Sequence, residues 1–83
     1  MREVSCTTVA AKNLQDLGAT LKDVEMINGV VDELAAGRKK GFLVPLQSPF
    51  LGPKRKLFQY QAGRFKLNYT LTKTEIRLVS VMA

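Results

Sequence analysis

The side chains able to do chemistry in this chain are cations, and they are unevenly distributed. Residues 37–83 carry ten lysines and arginines against one acid, Glu75. Residues 1–36 carry three cations, Arg2, Lys12 and Lys22, against six acids. The two parts hold net charges of +9 and −3. A field so one-signed attracts an oppositely charged polymer, and nucleic acid, RNA above all, is the expected partner. The basic part interleaves charge with aromatics. Lys54, Arg55 and Lys56 form a run, Arg64 and Lys66 flank Phe65, and Tyr60 and Tyr69 lie close by. Histidine is absent, which excludes zinc sites built on histidine, Ser-His-Asp triads and imidazole acid/base chemistry. Cys6 is the one cysteine, so no intrachain disulfide forms.

The elements that must position these residues can be read from spacing. Arg2–Cys6 reads as a short strand. Thr7 or Thr8 caps a helix through its hydroxyl, and Ala10, Leu14 and Leu17 then share one helical face. Gly18 ends that helix. Thr20 and Asp23 form a capping box. Leu21, Val24, Ile27, Val31 and Leu34 follow as an apolar stripe, a core face rather than a binding surface. Gly37 closes this second helix, with Arg38, Lys39 and Lys40 near its negative end. Pro45, Pro49 and Pro53 make residues 41–53 a connecting loop, with a short extended piece at Phe42–Val44.

The remaining residues read as strands. Leu57–Gln61 is aromatic-rich, and Ala62-Gly63-Arg64 offers a turn. Phe65, Leu67, Tyr69 and Leu71 then alternate with Lys66, Asn68 and Thr70. This parity sends Tyr69 to the core and Lys66 to the opposite face; Tyr60 is equally suited to either. Thr72–Thr74 makes the next turn. In the last strand, Ile76–Met82, simple alternation sets Val79 and Val81 opposite Ile76 and Leu78. Apolar residues on both faces mark that strand as central or covered. The 83 residues thus predict one α+β domain spanning residues 1–83, ordered β-α-α-β-β-β, with a helical hairpin packed on an antiparallel sheet. No apolar stretch approaches the roughly 20 residues needed to span a bilayer. No secretion signal opens the chain, so a cytoplasmic protein without membrane contact is expected.

This order, together with the run Phe58-Gln59-Tyr60-Gln61-Ala62-Gly63-Arg64-Phe65-Lys66-Leu67-Asn68-Tyr69, resembles the RelE/ParE superfamily of toxin–antitoxin toxins. Phe58 matches the first aromatic of the family's strand motif and Gly63 its turn glycine. Phe65 and Lys66 match an aromatic–arginine pair, Leu67 an aliphatic position, and Pro45-Leu46 a leucine-containing segment ahead of the strands. Gln59 and Gln61 stand where the family has strand cations. The chain also stops at Val81-Met82-Ala83, where the family continues with a catalytic basic, histidine or tyrosine residue.

The resemblance implies a ribosome-dependent endoribonuclease that cuts messenger RNA without a metal ion or cofactor and is held in check by an acidic antitoxin. Its catalytic residues would be Lys66, Arg64 and Lys56. Its RNA-binding residues would be Lys54, Arg55, Lys56, Arg64 and Tyr60. Lys66 would stabilise the charge that develops on phosphate, and Tyr60 would stack on a base. The proton acceptor would have to be a lysine, since the basic part has no histidine and only Glu75 as an acid. The alternative within the same fold is a non-catalytic module, either a ParE-like gyrase inhibitor or a relative that binds RNA or a protein. A basic RNA-binding protein of unrelated fold is the third reading.

Overall fold

The computed structural model describes residues 2–44 and 56–83. Among the described residues, five strands and two helices follow one another. They are β1 (Glu3–Cys6), α1 (Thr8–Asp16), α2 (Leu21–Ala35), β2 (Phe42–Leu43), β3 (Leu57–Ala62), β4 (Phe65–Leu71) and β5 (Glu75–Met82). The strands form one sheet in the order β1-β5-β4-β3-β2. The chain is therefore α+β, as expected, but its sheet is mixed. β1 runs parallel to β5, while the other neighbours are antiparallel. The short extended piece at Phe42–Val44 contributes a fifth, edge strand.

Local chemistry explains the helices. Thr7 caps α1 by accepting from the Ala10 amide at 3.1 Å. At α2 the capping box is complete: the Asp23 amide donates to the Thr20 hydroxyl at 3.2 Å, and the Thr20 amide donates to the Asp23 carboxylate at 2.9 Å. Gly37 and Arg38 then donate to the carbonyls of Leu34 and Glu33, which closes the last turn of α2.

Both helices cover the same face of the sheet. Ala10 of α1 and Ile27, Val31, Leu34 and Ala35 of α2 pack with Phe65, Leu67, Tyr69, Ile76, Leu78 and Val81 in one core. The predicted stripe of α2 holds from Ile27 onward; Val24 is half-buried outside the core cluster, and Leu21 is 75% exposed. At about 100° per residue, two successive steps of three residues drift the same way. Leu21 thus lies roughly 120° around the helix from Ile27.

Val81 is a second correction. It pairs with Leu67, while Ile76 and Leu78 pair with Leu71 and Tyr69, so all three face the helices. The cause is a β-bulge. The register shifts between Asn68 and Tyr69, whose partners are Ser80 and Leu78, and Val79 is the extra residue. Residues of α1 and its cap satisfy the disrupted backbone. The Thr7 hydroxyl donates to the Val79 carbonyl at 2.6 Å, and the Val81 amide donates to Asn13 Oδ1 at 3.1 Å.

The open face carries Gln59, Gln61, Lys66, Asn68, Thr70 and Ser80 in cross-strand register. Asn68 is only 6% exposed there. Both ends of its amide are engaged, the oxygen accepting from Gln59 Nε2 at 2.9 Å and the nitrogen donating to Ser80 Oγ at 3.0 Å. This ladder locks β3, β4 and β5 together at mid-strand.

Candidate nucleic-acid interface

The residues singled out from sequence occupy separate parts of the fold. Lys66 is exposed on the open face, with Gln61 and Met82 as its cross-strand neighbours. Lys56 is exposed just before β3. Five residues separate it from Gln61, the partner of Lys66, a distance of roughly 17 Å along a strand. Tyr60 pairs with Leu67 and so faces the helices, half-buried, with Lys39 Nζ 5.6 Å from its ring centroid. Arg64 stands at the β3–β4 turn and reaches back to α2. Its Nη2 donates to the Asp23 carboxylate at 3.3 Å and to the Gly18 carbonyl at 3.5 Å. Its guanidinium also lies over the Phe65 ring at 4.5 Å. Lys54 and Arg55 lie outside the described residues. Lys66, Arg64 and Lys56, which the resemblance makes a catalytic set, are thus not brought together.

The contact between Arg64 and Asp23 alters the carboxyl. Asp23 is held below the usual carboxylate range, first by the Thr20 backbone N–H. Partial burial opposes this, and the side chains of Arg64 and Thr20 reinforce it. Tyr69 is buried in the core at 3% exposure, as its parity predicts. Its hydroxyl accepts from the Gly41 amide at 2.9 Å. Burial raises the phenol above its ordinary value, and the Gly41 bond opposes that shift. Gly41 is required for this approach. A Cβ there would stand 2.5 Å from the Tyr69 hydroxyl and 2.6 Å from the Gln59 carbonyl.

The fold does gather cations, but at the other end of the sheet. Arg2 precedes β1, Lys73 sits in the β4–β5 turn, Lys56 precedes β3, and Arg38, Lys39 and Lys40 follow α2. Arg77, near the start of β5, completes the set. Arg2 anchors this end. Its Nε donates to the Thr72 carbonyl at 2.7 Å and its Nη1 to the Ala35 carbonyl at 3.1 Å. A cation at the last turn of α2 also complements the helix dipole. Three adjoining depressions open here. One of about 480 Å³ lies between Arg2, Ala35, Ala36 and Lys73. A second, of about 200 Å³, shares Arg2 and adds Lys39 and Lys40. A third, of about 230 Å³, shares Phe58 and Leu71 with the second and adds Lys56 and Arg77.

Among the described residues, seven cations face four carboxylates at this end: Glu3, Asp32, Glu33 and Glu75. Two of those acids are paired, Glu75 with Arg77 at 3.2 Å and Glu33 with Lys39 at 3.8 Å. The opposite end is nearly balanced, with Lys12, Lys22, Arg64 and Lys66 against Asp16, Asp23 and Glu25. Sequence reasoning did not assign Arg2, Arg38, Lys39, Lys40, Lys73 or Arg77 to a site. Arg38–Lys40 was visible as a run. Arg2 and Lys73 meet only because β1 pairs with β5, which no local pattern announces.

Among the described residues no group of three or more metal-ligating side chains converges. No helix among them is long and apolar enough to cross a membrane. The family models, the curated proteins and the solved structures hold no match to this chain.

Proposed function

We propose that this chain is a RelE/ParE-like module that binds single-stranded RNA through the basic end of its sheet. One observation carries the reading. Among the described residues, seven cations from separate chain segments gather at one end, and six of them, Arg2, Lys39, Lys40, Lys56, Lys73 and Arg77, line three adjoining depressions. Phosphate backbones are recognised by such clusters with little demand on base sequence. Support for the family-like architecture comes from element order: a strand, two helices on one face, and three long antiparallel strands.

Binding is favoured over cleavage by the separation of the candidate catalytic residues. Transesterification at a phosphate needs a proton acceptor and charge stabilisation at one point. Arg64 is turned to Asp23, Lys56 lies far along the strand, and a lysine that accepts a proton needs burial or a neighbouring cation. Lys66 is instead exposed between Gln61 and Met82. Its accessibility is what sustains the second reading, a ribosome-dependent messenger RNA endoribonuclease controlled by an acidic antitoxin.

Fluorescence anisotropy with a labelled single-stranded RNA tests the first reading. The log of the binding constant should fall with the log of salt concentration by about 0.7 for each phosphate neutralised. A flat response between low and moderate salt refutes it. Expression of wild type and Lys66→Ala in cells, with growth and transcript integrity followed, tests the second. Transcript cleavage that is lost with Lys66→Ala supports it. Intact transcripts with wild type exclude it.

A further inference from the structure

We infer that the middle depression of the basic end is a pocket for one nucleobase, with the flanking phosphates held on its rim. This deepens the RNA-binding reading and rests on it. The cavity lies between the C-terminal turn of α2 and strands β3 and β4, and its volume is about 200 Å³. Its walls are Leu34, Phe58, Tyr69 and Leu71, and its rim is Arg2, Lys39 and Lys40. None of its described lining residues is acidic. Pockets for whole drug-sized molecules usually run to about 300–1,000 Å³, so this one suits a single ring system.

The walls are held in place before any ligand arrives. Phe58 and Tyr69 stack on each other with ring centroids 5.6 Å apart and planes inclined by 21°. The Gly41 amide fixes the Tyr69 hydroxyl at 2.9 Å. The rim is equally restrained. Arg2 is tied to two carbonyls, and Lys39 is poised between the Tyr60 ring and Glu33. A guanidinium bonded to neutral carbonyls keeps its full charge for an anion.

Charge and shape together select the occupant. A nucleotide in a single strand presents an apolar, planar base with a phosphate on either side. Three cations around one apolar mouth match that arrangement. Unpaired bases are commonly taken up on aromatic side chains while basic residues track the backbone. The neighbouring cations Lys73 and Lys56 extend the track beyond the rim on both sides.

Amide chemical shifts of the wild-type protein test the inference. Adenosine 5′-monophosphate and ribose 5-phosphate are titrated separately, with inorganic phosphate as a third probe. The nucleotide should shift the amides of Gly37, Gly41, Phe58 and Leu71, while the two base-free probes should move only those of Arg2, Lys39 and Lys40. Identical shift patterns from all three overturn the pocket. In parallel, an oligouridylate should bind more tightly than an abasic ribose–phosphate oligomer of equal length, by roughly 5- to 150-fold if one base is stacked. Equal, salt-dependent binding of the two oligomers overturns the pocket but leaves the RNA-binding reading standing. No binding of either removes both. Binding of an acidic peptide bearing one aromatic residue, with no response to the nucleotide, reassigns the cavity to a protein partner and overturns the inference.

Discussion

At one end of the sheet Arg64 points its guanidinium at the carboxylate of Asp23; at the other, Arg2 donates to the backbone carbonyls of Thr72 and Ala35. Both arginines tie distant segments together, and both look equally available in the sequence. The carboxylate cancels the charge of Arg64. The carbonyls hold Arg2 in place and leave its charge facing outward. The resemblance pointed to Arg64 and Lys66, whereas six of the seven described cations at the basic end, Lys56 among them, lie in the basic part that the charge count marked. At the basic end Lys39 and Arg77 are also paired, with Glu33 and Glu75, so what separates the two ends is the excess of cations over carboxylates among the described residues.

The largest expected effect separates the two ends directly. Replacing Lys39, Lys40 and Lys73 together by Gln should flatten the salt dependence of RNA binding by about two log units per decade and weaken binding on the order of 100-fold at 0.1 M salt. Replacing Arg64 and Lys66 together by Gln should leave the slope unchanged. Equal losses from the two variants, measured by anisotropy, would erase the distinction.

A glycine at each end sharpens it further. Gly41→Ala forces a methyl group against the Tyr69 hydroxyl and the Gln59 carbonyl and should cost about 1–3 kcal/mol. Gly63, in the β3–β4 turn, has φ +59°, and a Cβ there meets only the tip of Met26 at 3.2 Å. Gly63→Ala should cost about 1–2 kcal/mol, from the left-handed backbone alone. Denaturant melts in which Gly41→Ala costs nothing measurable would mean that the Gly41–Tyr69 contact does not hold the basic end.

The ion pair of the neutral end has a pH signature. Because the Asp23 carboxyl is held below its usual value, the unfolded chain binds that proton more readily than the folded one. Its contribution to stability is present above the ordinary aspartate value, about 3.9, and is lost as pH falls through the lower, folded value. In Arg64→Ala the Asp23 midpoint, followed by carboxyl NMR, should rise without reaching the unfolded value, because the Thr20 N–H remains the larger cause. A midpoint indifferent to Arg64 would show that the guanidinium holds Asp23 less tightly than the geometry implies. The smallest effect concerns Lys66→Ala, which should change stability by no more than about 0.5 kcal/mol, since the side chain is exposed and makes none of the described side-chain hydrogen bonds or ion pairs.

Local signals carried much of the fold and little of the site. The hydroxyl caps at Thr7 and Thr20, the helix ends at Gly18 and Gly37, and the alternation from Phe65 to Leu71 each depend on a few adjacent residues, and each matches the structure. The parity of Val81 was not legible, because the bulge at Val79 is decided by groups from α1 and its cap that bond to β5. Leu21 looked like part of a stripe because steps of three residues imitate a face until their drift accumulates. The basic end was hidden for a topological reason. Arg2 lies in the acidic part of the chain, and its role follows from where β1 pairs.

That pairing has a consequence for how the protein is made. Glu3 sits beside Glu75 and Cys6 beside Leu78, so a strand near the beginning of the chain waits for one near its end. The Thr7 cap likewise reaches across 72 residues to Val79. A ribosome adds roughly 5–20 residues per second, so β1 spends several seconds with its intended partner not yet synthesised. Contacts this distant in sequence also slow the final closure, because a long loop must be ordered before they form. The helices can form early on their own caps, but the groove between Arg2 and Lys73 comes into being only when the last strand docks. A nascent or truncated chain would therefore carry the positive charge without the shape that directs it.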